Sequence, residues 1–249
     1  MDKVALAATI HDPDARLVPA IERVASLLRD IFGGIALNVS DATPAGVIDA
    51  AAKLLDARII THPQGEATIG RSRRHAVGLA LQFGVPAVLY SDFDHIIRWA
   101  EGNSAELRAT LAAQSGVDCV VIGRTNGAFA REPRRLQETE RLINRIYTLM
   151  TARDWDLMFA IRRLSRRAAE AIVHESREDS IANDVEWPLL AEQLGLSLGY
   201  VAAEGLYYRT MDGFDAPADT EDGDPLHWIR RLEIAARQAA AMRPFLRRS

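Results

Sequence analysis

The chain has 249 residues, 48% hydrophobic and 26% charged, with a formal net charge of -4 and a pI of about 5.9. That length buries a large core, as one big domain or two small ones, and the mild acidity excludes a global attraction to nucleic acid or anionic membrane. No window reaches the ~18 apolar residues of a membrane span and no basic region precedes a long apolar stretch at the start, so a soluble, cytoplasmic protein without a transmembrane segment is expected. Cys119 is the only cysteine; an intramolecular disulfide is excluded, and its place in the apolar run 117–122 reads as a buried structural thiol. Lys3 and Lys53 are the only lysines, and the arginines that replace the rest suit bidentate phosphate binding.

Residues 4–10 read as a first buried strand, broken by His11-Asp12-Pro13-Asp14, where Asp14 is placed to cap the next helix. Leu17, Val18, Ile21, Val24, Leu27, Leu28, Ile31 and Phe32 then repeat at helical spacing up to Gly33-Gly34. A second strand over 35–39 runs into Ser40-Asp41-Ala42-Thr43, with Pro44 opening a helix to about residue 56. A third, over 57–61, ends at His62-Pro63-Gln64-Gly65. Strands alternating with helices, each emptying into a polar loop, predict a mostly parallel sheet with its ligand crevice at one edge. The dinucleotide and P-loop glycine patterns are absent, so a nucleotide would be held another way.

The helix expected over 68–83 begins with Gly70, Arg71, Arg73, Arg74 and His75. Free amides and guanidinium groups there suit an anion, or form an exposed basic turn. The next strand ends in Ser91-Asp92-Phe93-Asp94-His95. Two carboxylates two residues apart at a strand's C-terminal edge suit Mg2+ or Mn2+ carrying phosphates, or cap the following helix. Helices over 96–102 and from a Ser104 cap to 115, a strand over 117–123, and a long amphipathic helix from Pro133 follow. Residues 154–161 read as an irregular loop and a strand, Ser165 as a cap for a helix to 174, and Asn183-Asp184-Val185-Glu186-Trp187-Pro188 as the entry to a helix closed by Gly195. Short strands over 198–202 and 205–208, an acidic loop over 211–225 and a last amphipathic helix over 226–245 complete the chain.

The order of these motifs resembles the GT-A glycosyltransferases, the nucleotide-diphospho-sugar transferase fold, and is most similar to the family-two type that includes polyprenyl-phosphate mannose and glucose synthases. The resemblance rests on Gly70-Arg71-Ser72-Arg73-Arg74-His75-Ala76-Val77-Gly78, Asp92-Phe93-Asp94, Ile122-Gly123-Arg124, Phe159-Ala160-Ile161-Arg162-Arg163 and Asn183-Asp184-Val185-Glu186, and covers roughly residues 4–210. It implies an α/β three-layer sandwich with a mostly parallel central sheet. Residues 1–210 would be the catalytic domain, and 211–249 an acidic loop and helix packed on it. It also implies a metal-dependent hexosyltransferase taking a UDP- or GDP-linked sugar to a small or lipid-phosphate acceptor.

In that reading Thr9, Asp12 and Asp41 meet base and ribose, while Gly70, Arg71, Arg74 and Asp92 serve the diphosphate. Asp92, Asp94 and a C-terminal His, here His227, hold Mg2+ or Mn2+. Asp184, then Glu186, takes the acceptor proton. The chain departs from the family at His11-Asp12-Pro13-Asp14, where Asn-Glu is usual, and at Asn183, where Glu is usual. A sugar-phosphate nucleotidyltransferase, a phosphatase of the haloacid dehalogenase type and a degenerate, non-catalytic GT-A domain are the alternatives. The long helix after Pro133 and the last helix are candidate homodimer faces.

Overall fold

Residues 4–207 and 220–246 are described by the structure, a computed structural model. In chain order it runs β1 (Ala5–Ile10), α1 (Val18–Ile31), β2 (Ile35–Ser40), α2 (Ala45–Leu55), β3 (Arg58–His62), α3 (Ile69–Leu81), β4 (Ala87–Asp92) and α4 (Phe93–Ala112). It continues with β5 (Cys119–Arg124), α5 (Asn126–Phe129), α6 (Arg134–Thr151), β6 (Ile161–Ser165), α7 (Arg166–Glu175), α8 (Asn183–Gln193), β7 (Leu198–Ala203) and α9 (Pro225–Met242). The strands form one sheet in the order β3-β2-β1-β4-β6-β5-β7. Among the described strands every pairing is parallel except those of β6, which runs against both β4 and β5.

Side chains alternate across the sheet. Leu6, Ala8 and Ile10 enter a core shared with α1, α2 and α4, whereas Ala5 and Ala7 enter one shared with α3, α7 and α8. Helices on both faces leave the strands almost wholly apolar, which is why the alternation was legible as buried runs. A third cluster joins Val121 of β5 to Ile143 and Tyr147 of α6, Val185 of α8, and Ala235 and Met242 of α9. Cys119 is fully buried in β5, and burial pushes its thiol up to about 12.

Several sequence expectations shift. Asp12, not Asp14, organises the start of α1: its two carboxylate oxygens accept the Arg16 and Leu17 N–H groups at 2.9 and 2.8 Å. The helices expected on either side of Ser104 are the halves of α4, broken at Asn103 (φ -156°, ψ 69°), whose Oδ1 accepts the Glu106 N–H and so does the capping instead. The strand expected within 154–161 begins at Ile161, because two arginines that look solvent-bound, Arg162 and Arg163, are interior. Gly205 to Tyr207 is not a strand; Tyr208 and the acidic residues Asp212, Asp215 and Asp219 lie outside the described residues. Ser165 does cap α7, accepting the Ala168 N–H at 3.1 Å. Among the described residues no helix is long and apolar enough to cross a membrane.

Candidate active site

The C-terminal ends of the parallel strands share one edge of the sheet, and a cavity of about 400 Å3 opens there. Thr9, Asp12, Asp92 and Asp94 line it, with Arg16 and Ile69. β1 and β4 are in register so that Thr9 lies opposite Asp92. Asp92 Oδ1 accepts the Thr9 hydroxyl at 2.9 Å and the Tyr90 hydroxyl at 2.6 Å; Oδ2 accepts Arg73 Nη2 at 3.0 Å. Asp92 occupies the N-cap position of α4, yet its side chain makes no capping bond. Its carboxylate serves the cavity wall rather than the helix.

Arg73 is the centre of the arrangement. Gly70, Arg73, Val77 and Ala80 lie on the buried face of α3 at helical spacing, so the guanidinium is carried inward, 2% exposed. Besides Asp92 it binds Asp184 Oδ1 at 2.5 Å and Asn183 Oδ1 at 2.9 Å, both from the first turn of α8, and lies over the Tyr90 ring at 5.5 Å. The two carboxylates it joins are driven apart. Burial alone would push Asp92 up, but Arg73, with His95 and the Tyr90 and Thr9 hydroxyls, holds it below the usual range. Burial pushes Asp184 up, and Arg73 and Arg162 only partly offset it. Paired carboxyl groups with opposed shifts are a mark of acid–base sites.

Asp184 is fixed by a local sequence feature. Pro188 lies inside α8, and a proline has no N–H to give the carbonyl four residues back. That orphan is the Asp184 carbonyl, and Arg162 Nη2 takes it at 2.8 Å. Gln238 of α9 approaches Asp184 Oδ2 at 3.4 Å. Asp184 itself is not among the residues lining the cavity. Glu186 is placed differently: Oε2 accepts the Ser176 hydroxyl at 2.5 Å and Oε1 the Arg177 and Glu178 N–H groups at 2.8 and 3.1 Å. It anchors the 176–178 loop.

The basic turn of α3 also divides its labour. Gly70 and Arg71 N–H both donate to the Asp179 carbonyl, at 2.7 and 3.3 Å, so those amides are not free for an anion. A Cβ on Gly70 would stand 2.4 Å from the Ser180 carbonyl oxygen; the glycine is there for this close approach. Arg74 holds the same loop through the Glu178 carbonyl at 2.5 Å and the Asp179 carboxylate. Arg71 is exposed beside them. Asp41 is exposed at the end of β2, accepting the Gln64 N–H at 2.9 Å, and does not line the cavity. It faces His62, whose pKa burial lowers.

Asp94 lies in the first turn of α4, 3.3 Å from Arg98 and 3.8 Å from His95. His227 pairs instead with Glu221 at 3.2 Å and Asp224 at 3.8 Å. Among the described residues no three His, Cys, Asp or Glu side chains cluster as a metal cage, so His227 is not gathered with Asp92 and Asp94. The two aspartates nonetheless fit a hard cation. Mg2+ is commonly held by one or two carboxylates plus substrate phosphates and waters. Asp94 borders the cavity half-buried, and Asp92 Oδ2 has a single donor.

A second polar cavity, about 390 Å3, opens beyond the end of β5, lined by Asn126, Arg141, Arg145, Trp155 and Tyr200 among others. Arg124 at its floor is spent on structure: it pairs with Glu132 at 3.0 Å, Glu140 at 2.6 Å and Asp156 at 2.7 Å, tying β5 to α6. His95 stacks on Phe159 with centroids 4.2 Å apart, and Arg124 lies 5.0 Å from the same ring. α9 packs on α6 and α8, with Arg231 reaching Glu140 at 2.7 Å. The sequence places Arg73 only within a basic turn and Arg162 only within a motif, and it assigns Tyr90 and Gln238 no role in the site. The inward spacing of Arg73 with Gly70, Val77 and Ala80 was the signal that could have found the first.

No protein-family model matches the sequence, and no curated protein matches it. Solved structures do. Glucosyl-3-phosphoglycerate synthase from Mycobacterium tuberculosis in complex with phosphoglyceric acid is 11% identical, with a TM-score of 0.59 over 100% of this chain and 82% of that one. The same enzyme in complex with uridine diphosphate is 12% identical, with a TM-score of 0.56 over 94% and 80%. Its complex with Mn2+, UDP-glucose and phosphoglyceric acid is 11% identical, with a TM-score of 0.55 over 85% and 74%. Likeness at such identities is a likeness of fold: with its seven-stranded, mostly parallel sheet between helical layers, this chain has the GT-A fold.

Proposed function

We propose that the chain is a metal-dependent glycosyltransferase that moves a hexose from a nucleoside-diphosphate sugar, of the UDP-glucose kind, to a small anionic acceptor. The observation that carries this reading is the cavity at the ends of β1 and β4, where Thr9, Asp92 and Asp94 meet and Arg73 stands behind them. A cation on Asp92 and Asp94 would neutralise charge on the departing nucleoside diphosphate. Arg71, exposed at the start of α3, would add to it. Asp184 is the carboxylate we assign to the acceptor proton: burial shifts its pKa upward, the direction that strengthens a base, although Arg73 and Gln238 engage its oxygens and it does not line the cavity. Glu186 anchors the 176–178 loop through Ser176, Arg177 and Glu178 and is assigned no chemistry.

Arg141 and Arg145 in the neighbouring cavity suit an anionic acceptor of either kind; the choice of a small one rests on solved structures of like fold in complex with phosphoglyceric acid. The test is a thermal-shift panel of UDP, GDP, UDP-glucose and GDP-mannose, each with and without Mn2+, followed by product analysis with phosphorylated carboxylic acids as acceptors. A Mn2+-dependent rise with one base is expected. Saturation at a hundredfold excess over Kd adds about 2.7 kcal/mol of stability. No rise with any nucleotide refutes the reading. A rise without turnover leaves a nucleotide-sugar-binding domain, the reading that Asn183 favours.

A further inference from the structure

The opposite edge of the sheet, where the parallel strands begin, holds a larger cavity of about 830 Å3. Val4, Ile31, Ala87, Leu111, Ser115 and Arg163 are among its walls. Strand alternation sends Arg162 toward α8 and Arg163 to the other face, under the end of α4. Arg163 is 5% exposed. Its Nε donates to the Leu111 carbonyl in the last turn of α4 at 3.1 Å and its Nη2 to the Ser115 carbonyl just beyond at 3.4 Å; its Nη1 has no partner among the described residues. Burial lowers its pKa, and among the described residues no acid counters the effect.

That sets Arg163 apart from Arg73 and Arg124, which are neutralised by carboxylates at 2.5–3.0 Å. The cavity's own acid, Asp30, is spent on Arg108 at 2.5 Å on the exposed rim. A buried guanidinium with no counter-ion among the described residues is costly, and here it borders a space of ligand size with mainly apolar walls.

We propose that this cavity binds a small amphipathic acid, its anionic head on the Arg163 guanidinium and its apolar body along Val4, Ile31, Ala87 and Leu111. β1 and β4 are six residues each, so the site lies about 20 Å from the donor cavity at a rise of ~3.3 Å per residue. It stands whether or not the chain transfers sugar.

Octanoate and its uncharged counterpart 1-octanol are the probes, read by thermal shift and calorimetric titration on the full chain. Octanoate is expected to raise the melting temperature saturably, and 1-octanol to bind at least about tenfold more weakly, a difference of ~1.4 kcal/mol. Arg163→Met should erase that preference. Ala109 also lines the cavity from the exposed side of α4, so Ala109→Trp narrows the space with Arg163 intact. It should weaken octanoate at least about tenfold and keeps the test decisive if the Arg163 variant does not fold. Equal response to the two probes, no saturable response at millimolar octanoate, or unchanged octanoate binding in Ala109→Trp overturns the proposal.

Discussion

Replacing Arg73 by Met would remove the one cation shared by Asp92 and Asp184 while keeping most of the side-chain volume. In the native protein the guanidinium contacts these carboxylates at 3.0 and 2.5 Å and is 2% exposed. Removing one member of a buried ion pair typically costs ~3–5 kcal/mol, since the remaining charge is left in a poor solvent. Domains of this size lose ~2–4 °C of Tm per kcal/mol, so a fall of about 6–20 °C at pH 7 is expected by scanning calorimetry.

The pH dependence gives the sharper test. Without Arg73 both carboxyl groups lose the influence that pulls them down, and both pKa values rise. An acid whose folded pKa exceeds its unfolded value penalises folding at higher pH, and the penalty fades as the pH falls toward the unfolded value of ~3.9. The gap between wild type and variant should therefore be widest near neutrality and close toward pH 4. A loss below about 2 °C at pH 7, or a gap that does not change with pH, would refute the idea that Arg73 neutralises the pair.

Asp94→Asn should abolish the Mn2+-dependent part of UDP stabilisation in a thermal-shift assay while costing the unliganded fold less than about 1 kcal/mol, because its ion pair with Arg98 is solvent-screened. Asp184→Asn should leave donor affinity unchanged and lower kcat by ~10^2–10^4. In the wild-type protein kcat should rise with pH through a limb above the ~3.9 of an ordinary aspartate, since burial pushes this group up; the variant should lack that limb. Gly70→Ala drives a methyl against the Ser180 and Glu178 carbonyl oxygens; a loss of about 1–3 kcal/mol is expected, with faster amide exchange over residues 176–180.

The parts of the fold that were legible in the sequence are those fixed by near neighbours. β1, β2, β4 and β5 are apolar runs, and the Asp92 motif is two carboxylates two residues apart where a strand meets a helix. Illegible parts depend on distant partners. Arg73 reads as one of several charges in a basic turn until α8, more than a hundred residues on, supplies Asn183 and Asp184. Arg162 and Arg163 look incompatible with a central strand. Their interior placement rests on carbonyl oxygens: for Arg162 those of Ile161, Leu157 and Asp184, the last released by Pro188, and for Arg163 those of Leu111 at the end of α4 and Ser115 beyond it. Glu186 carries the opposite lesson. A carboxylate beside the expected base has the right chemistry, and only the course of the 176–178 loop shows that its oxygens are taken.

Cys119 gives the protein a clock of its own. Its sulfur lies in a strand paired on both sides, to β6 and to β7, and its acidity is suppressed to about 12. A disulfide reagent or alkylator at mild alkaline pH therefore finds no reactive thiolate until the ladders part. Labelling then proceeds at the pace of the opening reaction when reagent is abundant, and in proportion to the open fraction when it is scarce. One native atom reports how often the centre of the sheet comes apart.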